Sequence, residues 1–195
     1  MIKRICVFAS SSNYLDPLYY NDAELLGELI AKNDFDIVYG GSNLGLMWAC
    51  AGAAKQNGSK LIGIMPEKLH NMGVHTDGCD EFYVTEGMRE RKAKLDSVSD
   101  AVIALAGGFG TLEELSEMIV QKQLGYNQKP IVLLNTNGFY DKLNEFFEVV
   151  IEQKFANKNM RSIYFIANTP QEAIDYIKDY KPSELNVDKN AIYAR

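Results

Sequence analysis

The sequence predicts one α/β domain: a doubly wound, Rossmann-like parallel sheet with helices on both faces. Three observations carry that expectation. Short apolar runs alternate along the chain with longer stretches of helical periodicity, the pattern of successive β-α-β units. The runs are nearly all apolar, as strands buried on both faces should be. Glycine- or serine-rich loops follow the first, second and fifth runs, and ligands in such sheets bind at the carboxyl ends of the strands.

Residues 3–9 read as the first strand, because their apolar stretch is too short for a signal peptide. The loop Ser10-Ser11-Ser12-Asn13 follows, then a helix at 17–32 and a strand at 35–39. Gly40-Gly41-Ser42-Asn43-Leu44-Gly45 leads into a helix at 44–57, and strands are expected at 60–64 and 81–84. A helix at 86–99 precedes the apolar strand 101–106, which ends in a third loop and a helix at 111–125. A strand at 130–134, a helix at 139–153, a strand at 163–166 and a helix at 169–179 complete the domain over 1–180. The tail 181–195 lacks periodicity. The three loops offer backbone N–H groups and hydroxyls beside helix starts and point to one shared pocket, with Ser11, Gly41 and Ser42 as candidate contacts. Helix capping is the alternative for the serines.

Composition narrows the function classes. A net charge of −6 argues against binding a nucleic-acid polymer. No apolar run approaches the ~20 residues that span a bilayer. The three cysteines, Cys6, Cys50 and Cys79, are odd in number and widely spaced, which favours a reducing cytoplasm over a disulfide framework. The two histidines, His70 and His75, have no nearby cysteine set, so a structural zinc site is not expected.

The run from Leu105 to Glu114 is the most informative: Leu-Ala-Gly-Gly-Phe-Gly-Thr-Leu-Glu-Glu. An apolar strand, a glycine-rich turn and a helix start together make an anion site, since free N–H groups and the helix dipole both favour negative charge. Gly107, Gly108 and Gly110 let a phosphate approach the backbone, with Phe109 and Thr111 in the same cradle. The alternative is structural, because Thr111-Leu112-Glu113-Glu114 also fits a capping box. The G-G-x-G order, with an acid in the first helical turn, departs from the dinucleotide fingerprint and disfavours a conventional NAD site.

A second segment places a charge where an apolar residue belongs. On a helix, Met88, Arg91, Leu95 and Val98 are spaced by three, four and three residues and form one inward stripe. Buried arginine requires an anionic partner. Arg91 therefore either pairs with an internal carboxylate or receives an anion in a pocket. Arg89, Lys92 and Lys94 flank it, with a solvated basic face as their ordinary alternative. Its helix precedes the strand that ends at the glycine loop, so a right-handed crossover can bring Arg91 near Glu114.

These residues carry a resemblance. The chain resembles the Lonely Guy (LOG) family of cytokinin riboside 5′-monophosphate phosphoribohydrolases along nearly its whole length. The family pattern M-x-x-R-K stands as Met88-Arg89-Glu90-Arg91-Lys92, and P-G-G-x-G-T-x-x-E runs from Ala106 to Glu114. The resemblance implies hydrolysis of the N-glycosidic bond of a nucleoside 5′-monophosphate to free base and ribose 5-phosphate. It implies Arg91 and Glu114 as the catalytic pair, Gly107 to Thr111 as the phosphate loop, and Met88 and Lys92 as substrate contacts. It implies a homodimer and neither a metal nor a redox cofactor. Three positions depart from the family: Ala106 replaces proline, Arg89 replaces a frequent histidine, and Gly73 stands where many members carry an acidic substrate contact. The last leaves the base open between a cytokinin and a general purine such as adenine. The rival activities are a non-catalytic nucleotide carrier of the same fold and a lysine decarboxylase, which needs an electron-sink cofactor on a lysine.

Overall fold

Alternation along each strand decides how the sheet is covered. The computed structural model describes residues 2–182. Seven strands are present: β1 (Arg4–Phe8), β2 (Asp36–Tyr39), β3 (Leu61–Pro66), β4 (Glu81–Thr85), β5 (Ala101–Ala104), β6 (Ile131–Leu134) and β7 (Phe165–Ala167). They form one parallel sheet in the order β4-β3-β2-β1-β5-β6-β7. Ile5 and Val7 point to one face, while Cys6 and Phe8 point to the other. The first face is covered by α1 (Pro17–Lys32), α2 (Gly45–Gln56) and α7 (Pro170–Asp179), through Leu26, Cys50 and Ile174 among others. The second is covered by α4 (Met88–Ser97), α5 (Phe109–Gln123) and α6 (Asp141–Glu152), through Leu95, Leu115 and Ile151. The fold is the expected doubly wound α/β sheet.

The strand order reverses between β1 and β5, which lie side by side with Ile5 opposite Ala101 and Phe8 opposite Ala104. Beyond their carboxyl ends the loops diverge, and that divergence opens the crevice characteristic of this architecture. The Ser10 amide donates to the Ala106 carbonyl at 3.2 Å, tying the serine loop to the glycine loop across the switch point.

The expected elements differ from the observed ones at several places. A single-turn helix, α3 (Glu67–His70), follows β3 and was not expected. Two 3-10 turns, Thr136–Gly138 and Lys158–Ser162, lie in stretches expected as loop. β3 continues to Pro66 because β4 pairs with it as far as Thr85. α5 begins at Phe109 rather than at 111, since Gly108 is the residue that caps it. From residue 183 onward the tail expected at 181–195 lies outside the described residues. Among the described residues no helix is long and apolar enough to cross a membrane.

One buried charge lies away from the crevice. Lys122, in the last turn of α5, is 1% exposed. Its Nζ donates to the Ile163 carbonyl at 2.9 Å and lies 4.9 Å over the Tyr180 ring. Burial lowers its pKa to about 8. The native state therefore binds this proton less tightly than the unfolded chain, whose lysines titrate at about 10.4. The resulting penalty is full below the folded value and is relieved as pH rises towards the unfolded one. Lys122→Met keeps the apolar stem and removes the charge, so it is expected to raise stability by about 1 kcal/mol at pH 7. It should also flatten the rise in stability between pH 8 and 10. Urea denaturation at both ends of that range measures each effect; a variant weaker than wild type at neutral pH would mean that the carbonyl and ring contacts outweigh desolvation.

Candidate active site

The site is built around a guanidinium that the fold has taken out of water. Arg91 sits one turn into α4, which Gly87 opens with its amide donating to the Glu90 carboxylate at 2.8 Å. The residue is 8% exposed, and its side chain points under the carboxyl ends of β2 and β3. Its Nε donates to the Ile64 carbonyl at 3.1 Å, and Nη1 donates to the Glu114 carboxylate. Nη2 lies against Gly40, where a Cβ would stand only 2.7 Å away. The guanidinium is thus held by a backbone carbonyl, a carboxylate and the bare face of a glycine.

Glu114 is 8% exposed and reaches Arg91 from the second turn of α5. Burial pushes its carboxyl above the ordinary carboxylate range, while the Arg91 guanidinium pulls it back. The capping-box alternative fails on this geometry. Gly108 caps α5, and Thr111 lies inside the helix. The Glu114 carboxylate bonds across to α4 instead of back to its own helix start.

The glycine loop contains glycines of two kinds. A Cβ on Gly107 would fall 2.1 Å from Thr111 Oγ1, so this residue is glycine to let the loop fold onto the buried threonine. Gly108 and Gly110 have nothing within 4 Å of where a Cβ would stand. Packing does not require glycine at either position, and a Cβ there would obstruct only something arriving from outside. The first intrahelical bond runs from the Leu112 amide to the Gly108 carbonyl at 3.1 Å. The amides of Phe109, Gly110 and Thr111 are therefore the unpaired donors of the helix start. Phe109 is 92% exposed beside them.

The remaining candidates divide between rim and scaffold. Ser42 is buried, and its hydroxyl accepts the Leu44 amide at 3.2 Å in a turn that leads into α2. Gly41 is buried behind it and Ser11 is exposed on the first loop. Ser10 and Ser12 accept the amides of Ser12 and Tyr14, so these two hydroxyls shape the loop. Met88 departs from the expected inward stripe: it opens α4 and is half-exposed at the rim. Lys92 Nζ is shared by the carboxylates of Glu113 and Glu117 and so bridges α4 to α5 beside the Arg91–Glu114 pair. Sequence reasoning missed the Ile64 carbonyl and the seat at Gly40. The first leaves no trace in a sequence, whereas the second stood in a loop already marked as functional.

Gly40→Ala is expected to fold, to lose about 1–3 kcal/mol of stability through overpacking, and to displace the guanidinium from its seat. Thermal denaturation and a crystal structure of the variant test this. An unmoved Arg91–Glu114 pair would show that the seat is not tight.

Comparison with known proteins agrees with this architecture. A family profile described as "Possible lysine decarboxylase" matches residues 47–177. A cytokinin riboside 5′-monophosphate phosphoribohydrolase of Arabidopsis thaliana is 40% identical over 187 residues, covering 95% of this chain and 87% of its own. The rice enzyme of the same name is 37% identical over 180 residues, covering 92% and 74%. Among solved structures, the molybdenum cofactor binding protein of Rippkaea orientalis aligns with a TM-score of 0.70 at 30% identity, covering 91% of this chain and 96% of that one. On the profile match and these relatives, the chain belongs to the Lonely Guy (LOG) family.

Proposed function

We propose that the protein hydrolyses the N-glycosidic bond of purine nucleoside 5′-monophosphates, releasing free base and ribose 5-phosphate. The observation that carries this reading is the buried Arg91–Glu114 pair, one turn along the helix whose glycine-lined start offers free amides. In this reading the 5′-phosphate lies on the amides of Phe109, Gly110 and Thr111, and the ribose extends towards Glu114. The C1′–N bond breaks with its electron pair leaving on the base, and the sugar becomes oxocarbenium-like. The Glu114 carboxylate stabilises that positive charge and orients the water whose oxygen forms the new bond to C1′, and the proton that this water gives up ends on the departing base. Arg91 keeps Glu114 ionised and fixes its direction. Lys92 holds α4 and α5 together at the level of the pair through Glu113 and Glu117, and Met88, Ser11, Gly41 and Ser42 line the approach.

Gly73 is exposed, and no atom lies within 4 Å of the position of a Cβ. Gly73 offers no side chain with which to select one base, so the proposal covers cytokinin riboside monophosphates and AMP alike. A decarboxylase is the weaker reading. The lysine beside the pair has its amine held between two carboxylates and is not free to carry a Schiff base. We further propose a homodimer, because Val120 and Leu124 at the end of α5 and Phe146 and Val149 on α6 expose a set of large apolar side chains. Light scattering tests that assembly. The three unpaired cysteines support a cytoplasmic setting.

Chromatography of products after separate incubation with AMP and isopentenyladenosine monophosphate is expected to show free base and ribose 5-phosphate. Binding without base release from either would favour a carrier. Glu114→Gln is expected to fold and bind AMP but to lose turnover by about 100-fold or more. A variant that unfolds while activity per folded molecule persists would return Glu114 to a structural role. The pH profile supplies a further check. Because Glu114 must be ionised and its pKa is raised, activity should fall on the acid side above the ordinary carboxylate range. An acid limb at the usual carboxylate value would place the working base elsewhere.

A further inference from the structure

The two histidines of the chain lie together on the segment that follows β3. Their rings stack with centroids 4.3 Å apart and planes at 17°. Both tilt against Phe82 of β4, at 5.8 Å for His70 and 6.0 Å for His75. The chain turns tightly between them, with the Gly73 amide donating to the His70 carbonyl at 3.0 Å. The returning limb is then fastened to the turn after β2. The Asn43 amide donates to Val74 at 3.2 Å, the Thr76 amide donates to Gly41 at 3.1 Å, and Ser42 and His75 form an antiparallel bridge. Phe82 fills the space that a Cβ on Gly41 would need, 2.7 Å from the ring. The next residue back is Gly40, the seat of Arg91.

The chemistry of the His75 ring indicates which part of it the fold uses. Its Nδ1 is buried and has no hydrogen-bond partner. Its Nε2 lies 3.6 Å from the carboxylate of Asp77, a fully exposed residue whose pull is screened by water. The groups packed against the stack, Phe82, Gly41 and Ser42, carry no charge. A buried nitrogen without a partner is a cost. The ring itself, by contrast, stacks on His70 and tilts against Phe82.

We infer that the His70–His75 stack is a pin that holds the Gly40–Asn43 turn beneath Arg91, which makes both histidines positioning residues for the catalytic pair. This inference rests on the activity proposed above. The line of contact is continuous: stacked rings, backbone pairs to Gly41 and Asn43, the Gly40 face, the guanidinium and Glu114. It assigns no contact with substrate to either histidine.

Two variants separate shape from hydrogen bonding. His75→Phe keeps a flat ring on His70 and removes the buried nitrogen. His75→Gln keeps a polar side chain and loses the stack. Base release from AMP is measured for both, together with hydrogen exchange of the Asn43 and Thr76 amides by NMR. His75→Gln is expected to lower kcat/KM by about 10-fold or more and to speed exchange at both amides by about tenfold. His75→Phe is expected to match wild type in both. The reverse ranking, with Phe impaired and Gln active, would overturn the inference and make an imidazole nitrogen a ligand contact. Wild-type behaviour of both variants would also overturn it. If the wild-type protein releases no base, the proposed activity fails, and amide exchange alone decides whether the pin exists.

Discussion

A guanidinium almost without solvent sets the terms for everything around it. Arginine does not give up its charge, and an uncompensated buried charge costs several kcal/mol. Once Arg91 lies on the inner side of α4, the fold must supply an anion, an acceptor and room. Glu114 supplies the first and the Ile64 carbonyl the second, while the absence of a side chain at Gly40 supplies the third. These come from α5, the end of β3 and the turn after β2, so one side chain fixes the relation of three separate elements. Lys92, one residue on, closes the same two helices from outside through Glu113 and Glu117. Loss of either member of the central pair would strand the other. The pair that is proposed to be catalytic is therefore also a fastening of the fold.

How much of this was legible follows from what each residue must do. Strand positions were readable because burial on both faces demands apolar residues without gaps, and the helices because their stripes recur. Arg91 was readable for the opposite reason, as a charge in an apolar stripe. Its pairing with Glu114 needed only the usual hand of a crossover in addition. The start of α5 was misplaced by two residues because Thr111 and Glu114 fit a capping pattern that a glycine at 108 satisfies without any side chain. Local sequence could not separate a cap from a pairing across elements, since the two differ only in where the carboxylate points. The Ile64 carbonyl was invisible in principle, because every residue carries one. Lys92 is a substrate contact by resemblance and part of a basic face by local pattern; its carboxylate partners lie 21 and 25 residues away, a link that no local periodicity reveals.

The glycines give a second lesson on the same point. Gly107 and Gly108 are neighbours and identical in sequence, yet one is required by packing against Thr111 and the other is open to solvent. Only the second kind speaks for a ligand. A sequence motif merges the two and so overstates how many of its positions touch substrate. The structure also shows that the loop is not an independent module. Its Ala106 carbonyl is held by Ser10 from across the switch point, so its position depends on the strand order as much as on its own residues.

In the proposed reading, what favours hydrolysis over simple binding is an electrostatic conflict within the pocket. An anion at the start of α5 and the carboxylate of Glu114 are separated by five residues of helix, about 7.5 Å. At an effective dielectric of about 20 they repel by about 2 kcal/mol. A protein that only bound a phosphate compound would bind it more tightly without that negative charge. Buried Arg91 calls for an anion and offsets part of the repulsion. A reaction gives the same carboxylate a second use, provided that positive charge develops between the two anions as it proceeds. Cleavage at C1′ of a nucleotide generates such a charge, on a sugar whose phosphate is already anchored. In the proposed reaction Glu114 disfavours the bound ground state and favours the transition state, the direction in which a difference in binding becomes a rate.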